Sequence, residues 1–99
     1  MNETQLKTKV LKYLRSFEGV WVWKVSDQFT AGIPDIIGCY KGVFFAIELK
    51  VGKNKPTRLQ NKVLDMIRNS GGWGNVSYSL NDVIAFMHRI KQCEHLTNQ

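Results

Sequence analysis

Three charged residues, Asp35, Glu48 and Lys50, stand in or beside stretches of sequence that are otherwise apolar. Asp35 precedes an apolar run at 36–40, and Glu48 is the only charged residue in the run 43–49. Burying an ionised group is costly unless the group is paired or binds a metal ion. Charges at these positions therefore indicate a functional site.

The residue types favour metal-assisted chemistry on phosphate. Hard cations such as Mg²⁺ are held by one or two carboxylates together with water and substrate phosphate, and Asp35 and Glu48 supply such a pair. Strand side chains alternate between faces, so Lys50 shares a face with Glu48 and could orient a water or stabilise charge at a phosphate. The alternatives are a turn-capping role for Asp35 and a surface ion pair between Glu48 and Lys50.

The elements that must position these residues follow from the periodicity of the sequence. The patterns predict a helix over 3–17, a strand over 20–25, a loop over 26–31, strands over 35–40 and 43–50, a helix over 57–70 capped by Thr57, a strand over 75–79 and a helix to about residue 92. Lys41 and Gly42 predict a tight turn, so the second and third strands should pair antiparallel and bring Asp35 towards Glu48. The next helix is long enough for a parallel crossover. We expect a mixed sheet flanked by helices.

Composition sets the outer bounds of this interpretation. The 99 residues, 43% of them hydrophobic, predict a single domain over 1–99 with a core at about 3–92 and a frayed tail at 93–99. Cys39 and Cys93 have no metal-binding spacing and are expected to be free thiols. No stretch is apolar enough for a signal or a bilayer crossing, so an intracellular, soluble protein is expected. The net charge of +6 favours a polyanionic partner, and the small size favours a dimer.

The motifs also resemble a known family. Gly32-Ile33-Pro34-Asp35, then Glu48-Leu49-Lys50 after 12 intervening residues, resembles the core of the PD-(D/E)XK nucleases. With Glu3 on the first helix and Gln60 on the helix that follows, the pattern is similar to the virus-type replication-repair nuclease module, VRR-NUC, over residues 3 to about 84. The resemblance implies an α/β, restriction-endonuclease-like fold, a mixed β-sheet flanked by α-helices.

The resemblance assigns roles to individual residues. It implies that Asp35 and Glu48 bind Mg²⁺ or Mn²⁺, with the backbone carbonyl of Leu49 as a third ligand. It makes Lys50 catalytic, together with Glu3 and Gln60, and it adds Glu3 as a further metal ligand. Glu3 could instead only stabilise its helix, by placing a negative charge at the positive end of the helix dipole. Gln60 could be an ordinary surface residue.

The implied activity is hydrolysis of DNA that leaves a 5′ phosphate and a 3′ hydroxyl. Stand-alone minimal members of the family resemble archaeal-type Holliday junction resolvases, which act as homodimers, so branched DNA is the expected substrate. A virus or mobile element, and hence a host cytoplasm, is the source that the family suggests. The rival interpretations are a catalytically silent nucleic-acid-binding module of the same fold and a basic structural domain.

Two further groups of residues are candidates for binding. Four basic residues follow the Glu48 strand and are expected to contact phosphates as a basic rim: Lys53, Lys55, Arg58 and Lys62. The three tryptophans, Trp21, Trp23 and Trp73, favour a core or interface role over stacking on bases. For the dimer interface, the candidates are the C-terminal helix and the tryptophan-rich strand.

Overall fold

A computed structural model describes residues 1–26 and 29–97, the last four of these by their backbone alone. Its elements are, in chain order, α1 (Glu3–Ser16), β1 (Val20–Lys24), β2 (Ile36–Tyr40), β3 (Val43–Leu49), α2 (Arg58–Asn69), β4 (Trp73–Ser77) and α3 (Leu80–Thr97). Their order and types are those predicted from the sequence. The last strand begins and ends two residues earlier than predicted, and α3 continues past Gln92 to Thr97. Residues 27–28 of the predicted loop and 98–99 of the predicted tail lie outside the described part.

The four strands form one mixed sheet in the order β1-β2-β3-β4. The first three strands are antiparallel neighbours, and β4 joins β3 in parallel after the crossover through α2. Lys41 and Gly42 connect β2 to β3 with φ values of 46° and 89°. Positive φ at both central residues is typical of the two-residue hairpin turn that matches the twist of the strands. This hairpin fixes the register with Ile36 opposite Ile47.

The hydrophobic core lies between one face of the sheet and the helices α1 and α3. Ile36, Ile47 and Leu49 are fully buried there, and the α1 and α3 side chains that meet them include Leu14 and Phe86. Because strand side chains alternate, Glu48 must project to the opposite face.

The opposite face is covered only in part, by α2. This helix begins with a capping box in which Thr57 accepts a hydrogen bond from the N–H of Gln60. The only fully buried side chain of α2 is that of Leu64. No helix among the described residues combines the length and the hydrophobicity that a membrane crossing requires.

Candidate active site

Asp35 is held at the end of the β2–β3 hairpin by two hydrogen bonds. Its backbone carbonyl accepts a hydrogen bond of 2.9 Å from the N–H of Val25, which fixes the chain against the end of β1. Its side-chain Oδ2 accepts a bond of 2.8 Å from the N–H of Leu49. The carboxylate therefore occupies the place where the β2–β3 ladder would otherwise supply a backbone acceptor.

Pro34 leaves the carbonyl of Leu49 without a donor at this point. Continuing the register by two residues from the pair Ile36 and Ile47 places Pro34 opposite Leu49. Proline has no N–H, so it cannot donate to the carbonyl of Leu49 that faces it. On the other side of β3, the N–H of Lys50 donates to the carbonyl of Ser77 at 3.0 Å, as the alternation of backbone groups requires. The carbonyl of Leu49 thus lies beside Asp35 with no donor from the neighbouring strand.

Glu48 is buried next to Asp35. The residue is only 2% exposed. Burial raises the pKa of its carboxyl group from 4.5 to about 8, helped by a side-chain hydrogen bond with Asp35 and by the negative charges of Asp35 and Glu3, while the positive charge of Lys50 lowers it. Without a cation, Glu48 is therefore mostly protonated at neutral pH. The predicted approach of Asp35 to Glu48 is confirmed.

One oxygen of this pair has no hydrogen-bond partner in the part of the chain that the structure describes. The Oε2 atom of Glu48 is buried and makes no hydrogen bond with any described residue. Leaving a buried acceptor unsatisfied costs about 1–3 kcal/mol, and more if the group is charged. A buried orphan oxygen, a second carboxylate and a carbonyl without a strand donor form a set that a hard divalent cation would satisfy.

The described residues contain no cluster of three or more histidine, cysteine or acidic side chains placed to hold one metal ion. Glu3 lies near enough for its charge to act on Glu48, but it does not complete such a cluster. Mg²⁺ is commonly bound by one or two carboxylates with water and phosphate filling the remaining positions. The pair Asp35 and Glu48 fits that donor set without Glu3.

Lys7 is a site residue that the sequence analysis missed. Its Nζ lies 3.5 Å from Oδ1 of Asp35, and both side chains are about one-fifth exposed. The sequence shows only that Lys7 follows Glu3 by four residues and so lies on the same face of α1. The N-terminal part of α1 thereby places one acidic and one basic residue near the paired carboxylates.

Gln60 is engaged by its own helix. Its side-chain Oε1 accepts a hydrogen bond of 2.8 Å from the N–H of Thr57, which completes the capping box. Its amide nitrogen makes no hydrogen bond with any other residue that the structure describes. The loop before Asp35 packs against the same helical turn: a side chain on Gly32, which has φ of +86°, would come within 2.7 Å of Cγ of Leu59.

The four residues of the basic rim are all exposed, on the loop after β3 and on α2. Two of them, Arg58 and Lys62, line a shallow depression together with Leu59. Lys50, at the end of β3, is half-buried, and its charge acts on Glu48. Of these five cations, Lys50 is the one whose charge acts on the carboxylate pair, and the four residues of the basic rim are open to solvent.

Comparison with solved structures finds the same architecture in VRR-NUC domains. A structure described as a VRR_NUC domain aligns with a TM-score of 0.73 over 87% of this chain and 94% of its own, at 23% identity. A second, described as a VRR_NUC domain protein, aligns with a TM-score of 0.68 over 89% of this chain and 86% of its own, at 19% identity. Hjc, a Holliday junction resolvase from the archaeal hyperthermophile Archaeoglobus fulgidus, aligns with a TM-score of 0.57 over 77% of this chain and 67% of its own, at 21% identity.

No protein-family model and no curated protein sequence matches the chain. The structural likenesses show that it has a restriction-endonuclease-like fold, a mixed four-stranded sheet with three helices. The fold predicted from the motifs at Asp35 and Glu48 is confirmed.

Proposed function

We propose that this chain is a metal-dependent endonuclease of the VRR-NUC type that hydrolyses phosphodiester bonds in branched DNA such as a four-way junction. The observation that carries the proposal is the buried Oε2 of Glu48, which has no hydrogen-bond partner among the described residues and lies beside the fixed carboxylate of Asp35. A purely structural acid at this position would be expected to have a donor. The likeness to VRR-NUC domains and to a Holliday junction resolvase supports the same activity.

Asp35 and Glu48 would hold Mg²⁺ or Mn²⁺, with the carbonyl of Leu49 as the third protein ligand. When bound, such an ion supplies an activated water and charge neutralisation at the phosphate. Asp35 enters the reaction already oriented, because the N–H of Leu49 holds one of its oxygens at 2.8 Å. Glu48 must lose its proton to become a ligand, and its loss of hydration makes the anion a strong partner for a cation.

Lys50 would contribute a positive charge at the scissile phosphate or orient the attacking water. Its position at the end of β3, within electrostatic range of Glu48, supports that role. Gln60 would add its free amide nitrogen as a donor, since its Oε1 is already used by Thr57. Glu3 would act as an outer acidic group near the ion and not as one of a three-carboxylate cluster.

The basic rim would bind the DNA backbone and position it for cleavage. Phosphate contacts of this kind do not distinguish one base sequence from another, so recognition would depend on the shape of the DNA. Cutting both strands of a junction calls for two sites, and the described residues of this chain form one pair of buried carboxylates. We therefore propose that it acts as a homodimer.

The test is cleavage of a labelled four-way junction and of a linear duplex with the same arm sequences. We expect cutting of the junction in Mg²⁺ or Mn²⁺, none in EDTA, and none by Asp35→Asn or Lys50→Met; Lys9→Met, an exposed change on α1, is the matched control. Binding that weakens with salt but is never followed by cutting in either metal would instead support the silent DNA-binding module. If the protein neither binds nor cuts DNA, both the nuclease and the silent DNA-binding module are excluded.

A further inference from the structure

Two lysines approach the carboxylate pair from different elements. Lys50 follows Glu48 at the end of β3, and its positive charge acts on the carboxyl group of Glu48. Lys7 comes from α1, and its Nζ lies 3.5 Å from Oδ1 of Asp35. Each carboxylate of the pair therefore has a lysine of its own. Lys50 has a part in the proposed reaction, whereas Lys7 so far has none.

The fold does not depend on Lys7 to hold α1 in place. The apolar side chains of this helix are buried in the core: Leu6, Val10, Leu11 and Leu14. The side chains of Lys7 and Asp35 are 21% and 19% exposed, and an ion pair that water can reach contributes little to stability. Asp35 is also fixed independently by the N–H of Leu49. The position of Lys7 is therefore better explained by the chemistry of the site than by the packing of the helix.

The ammonium group of Lys7 lies against the oxygen that an ion would use. Oδ2 of Asp35 already accepts a hydrogen bond of 2.8 Å from the N–H of Leu49, so Oδ1 has the greater remaining capacity for an ion. Lys7 is within ion-pair distance of that same Oδ1. Two cations beside one oxygen repel each other strongly where water is partly excluded. Lys7 must therefore release Asp35 when this carboxylate becomes a metal ligand.

The side chain of Lys7 is able to make this change. Its ammonium group is carried on a flexible four-carbon stem, and about one-fifth of the side chain is exposed to solvent. The ammonium can therefore move while the buried residues of α1 keep the helix in place. Because the stem stays attached to the helix, the ammonium remains near the site after it has left Asp35.

The charges of the loaded site indicate what the released ammonium would contact. Asp35, Glu48 and Glu3 contribute three negative charges, and the phosphate of a DNA strand adds a fourth. A divalent ion and Lys50 together supply three positive charges. Lys7 supplies the fourth, so the site is neutral before attack by water places further negative charge on the phosphate oxygens.

We propose that Lys7 is a second catalytic lysine, which exchanges Oδ1 of Asp35 for a non-bridging oxygen of the scissile phosphate once the carboxylate pair holds its ion. In the metal-free protein the same ammonium compensates the charge of Asp35. Lys7 from α1 and Lys50 from β3 then share the charge that develops on the phosphate. No bond forms or breaks at Lys7, because the ammonium keeps its protons and acts by its charge. The inference rests on the proposed function for the identity of the phosphate.

The first measurement is binding and needs no catalysis. The probes are a nicked duplex with a 5′ phosphate at the nick, the group that cleavage would leave, and the same duplex with a 5′ hydroxyl. In saturating Mn²⁺ the original chain should prefer the phosphate, and Lys7→Met should reduce this preference at least about fivefold. In EDTA, where Lys7 pairs with Asp35, Lys7→Met should change the preference less than about twofold. Lys9→Met, which removes an exposed charge from the same helix, is the matched control.

The second measurement is the single-turnover rate of junction cutting in saturating Mn²⁺. Lys7→Met should cut at least about 30-fold more slowly than the original chain, although it binds Mn²⁺ more tightly. Lys7→Arg, which keeps the positive charge, should recover most of the rate. A residue with only a structural role would not lower the rate while raising the affinity for the ion. Melting curves in EDTA identify any variant that has lost its fold.

The two measurements separate this inference from the proposed function. Cutting by Lys7→Met at the original rate, or an unchanged preference for the 5′ phosphate in Mn²⁺, would overturn the inference and leave the proposed function standing. A chain that never cuts DNA, but whose preference for the phosphate in Mn²⁺ depends on Lys7, would remove the proposed function and support the exchange of Lys7 from Asp35 to phosphate. If the original chain neither cuts DNA nor distinguishes the two duplexes, both fail.

Discussion

The backbone N–H of Leu49 donates a hydrogen bond of 2.8 Å to Oδ2 of Asp35. The residue that follows Glu48 therefore holds the other member of the carboxylate pair. This link requires the two motifs to lie on paired strands, because the carboxylate of Asp35 accepts from the N–H of Leu49. Pro34, which has no N–H, leaves the carbonyl of Leu49 without a donor from that side. The geometry of the site is thus built into the hairpin and does not depend on a bound ion.

The first prediction concerns pH and stability. A carboxyl group with a higher pKa in the folded than in the unfolded state binds more protons when folded, so the free energy of unfolding falls as pH rises between the two values. For Glu48 that interval runs from about 4.5 to about 8. The loss should reach a few kcal/mol, at about 1.4 kcal/mol for each pKa unit. Urea unfolding of the metal-free protein at a series of pH values measures it.

Glu48→Gln isolates this effect because it keeps the size of the side chain but cannot ionise. The difference in unfolding free energy between the variant and the original chain should grow in favour of the variant from pH 5 to pH 8. Glu18→Gln, an exposed glutamate after α1, is the matched control and should show no such trend. A difference for Glu48→Gln that is constant over this range would contradict the account.

The second prediction concerns the proton that Glu48 carries. With its pKa at about 8, Glu48 is mostly protonated at pH 7 and must release its proton when an ion binds. Calorimetry of Mn²⁺ binding in buffers of different ionisation enthalpy should therefore report nearly one proton released at pH 7 and almost none at pH 9. Glu48→Gln should abolish the release. Heats that do not depend on the buffer at pH 7 would contradict the claim that Glu48 loses a proton when the ion binds.

The third prediction concerns Lys7, whose ammonium group is 3.5 Å from Oδ1 of Asp35. This group supplies positive charge at a carboxylate that the ion must also use. Lys7→Met should therefore tighten Mn²⁺ binding about three- to tenfold, while lowering the melting temperature in EDTA by a few degrees. Lys9→Met removes an exposed charge from the same helix and is the control. If Lys7→Met and Lys9→Met bind Mn²⁺ with equal affinity, Lys7 affects the ion only through the net charge of the chain.

The fourth prediction separates two roles of Gln60. Glutamate at this position can complete the same capping box with Thr57, whereas alanine cannot. Gln60→Ala should therefore lose about 1 kcal/mol of stability, and Gln60→Glu should keep it. If the amide nitrogen also acts in catalysis, as we propose, Gln60→Glu will cut the junction more slowly despite its intact stability. Full activity in Gln60→Glu would show that Gln60 caps α2 and has no role in catalysis.

The hairpin and its carboxylate pair could be predicted because they depend on local patterns. Lys41 and Gly42 define the turn, and the turn fixes which residues of β2 and β3 face each other. Lys7 could not be assigned in this way, because its contact with Asp35 depends on how α1 packs across the end of the sheet. The same holds for the open side of α2: periodicity shows that a helix has an apolar stripe, but only the packed structure shows that Leu64 alone is fully covered.

The most direct test of the account is the single-turnover rate at which the protein cuts a labelled four-way junction in Mn²⁺, compared with Asp35→Asn and Glu48→Gln at protein concentrations that saturate the junction. The account predicts that both variants bind the junction at least as tightly as the original chain and cut it at least about 100-fold more slowly. Cutting by Glu48→Gln at the original rate, or cutting by the original chain in EDTA, would contradict the claim that these two carboxylates form the metal site.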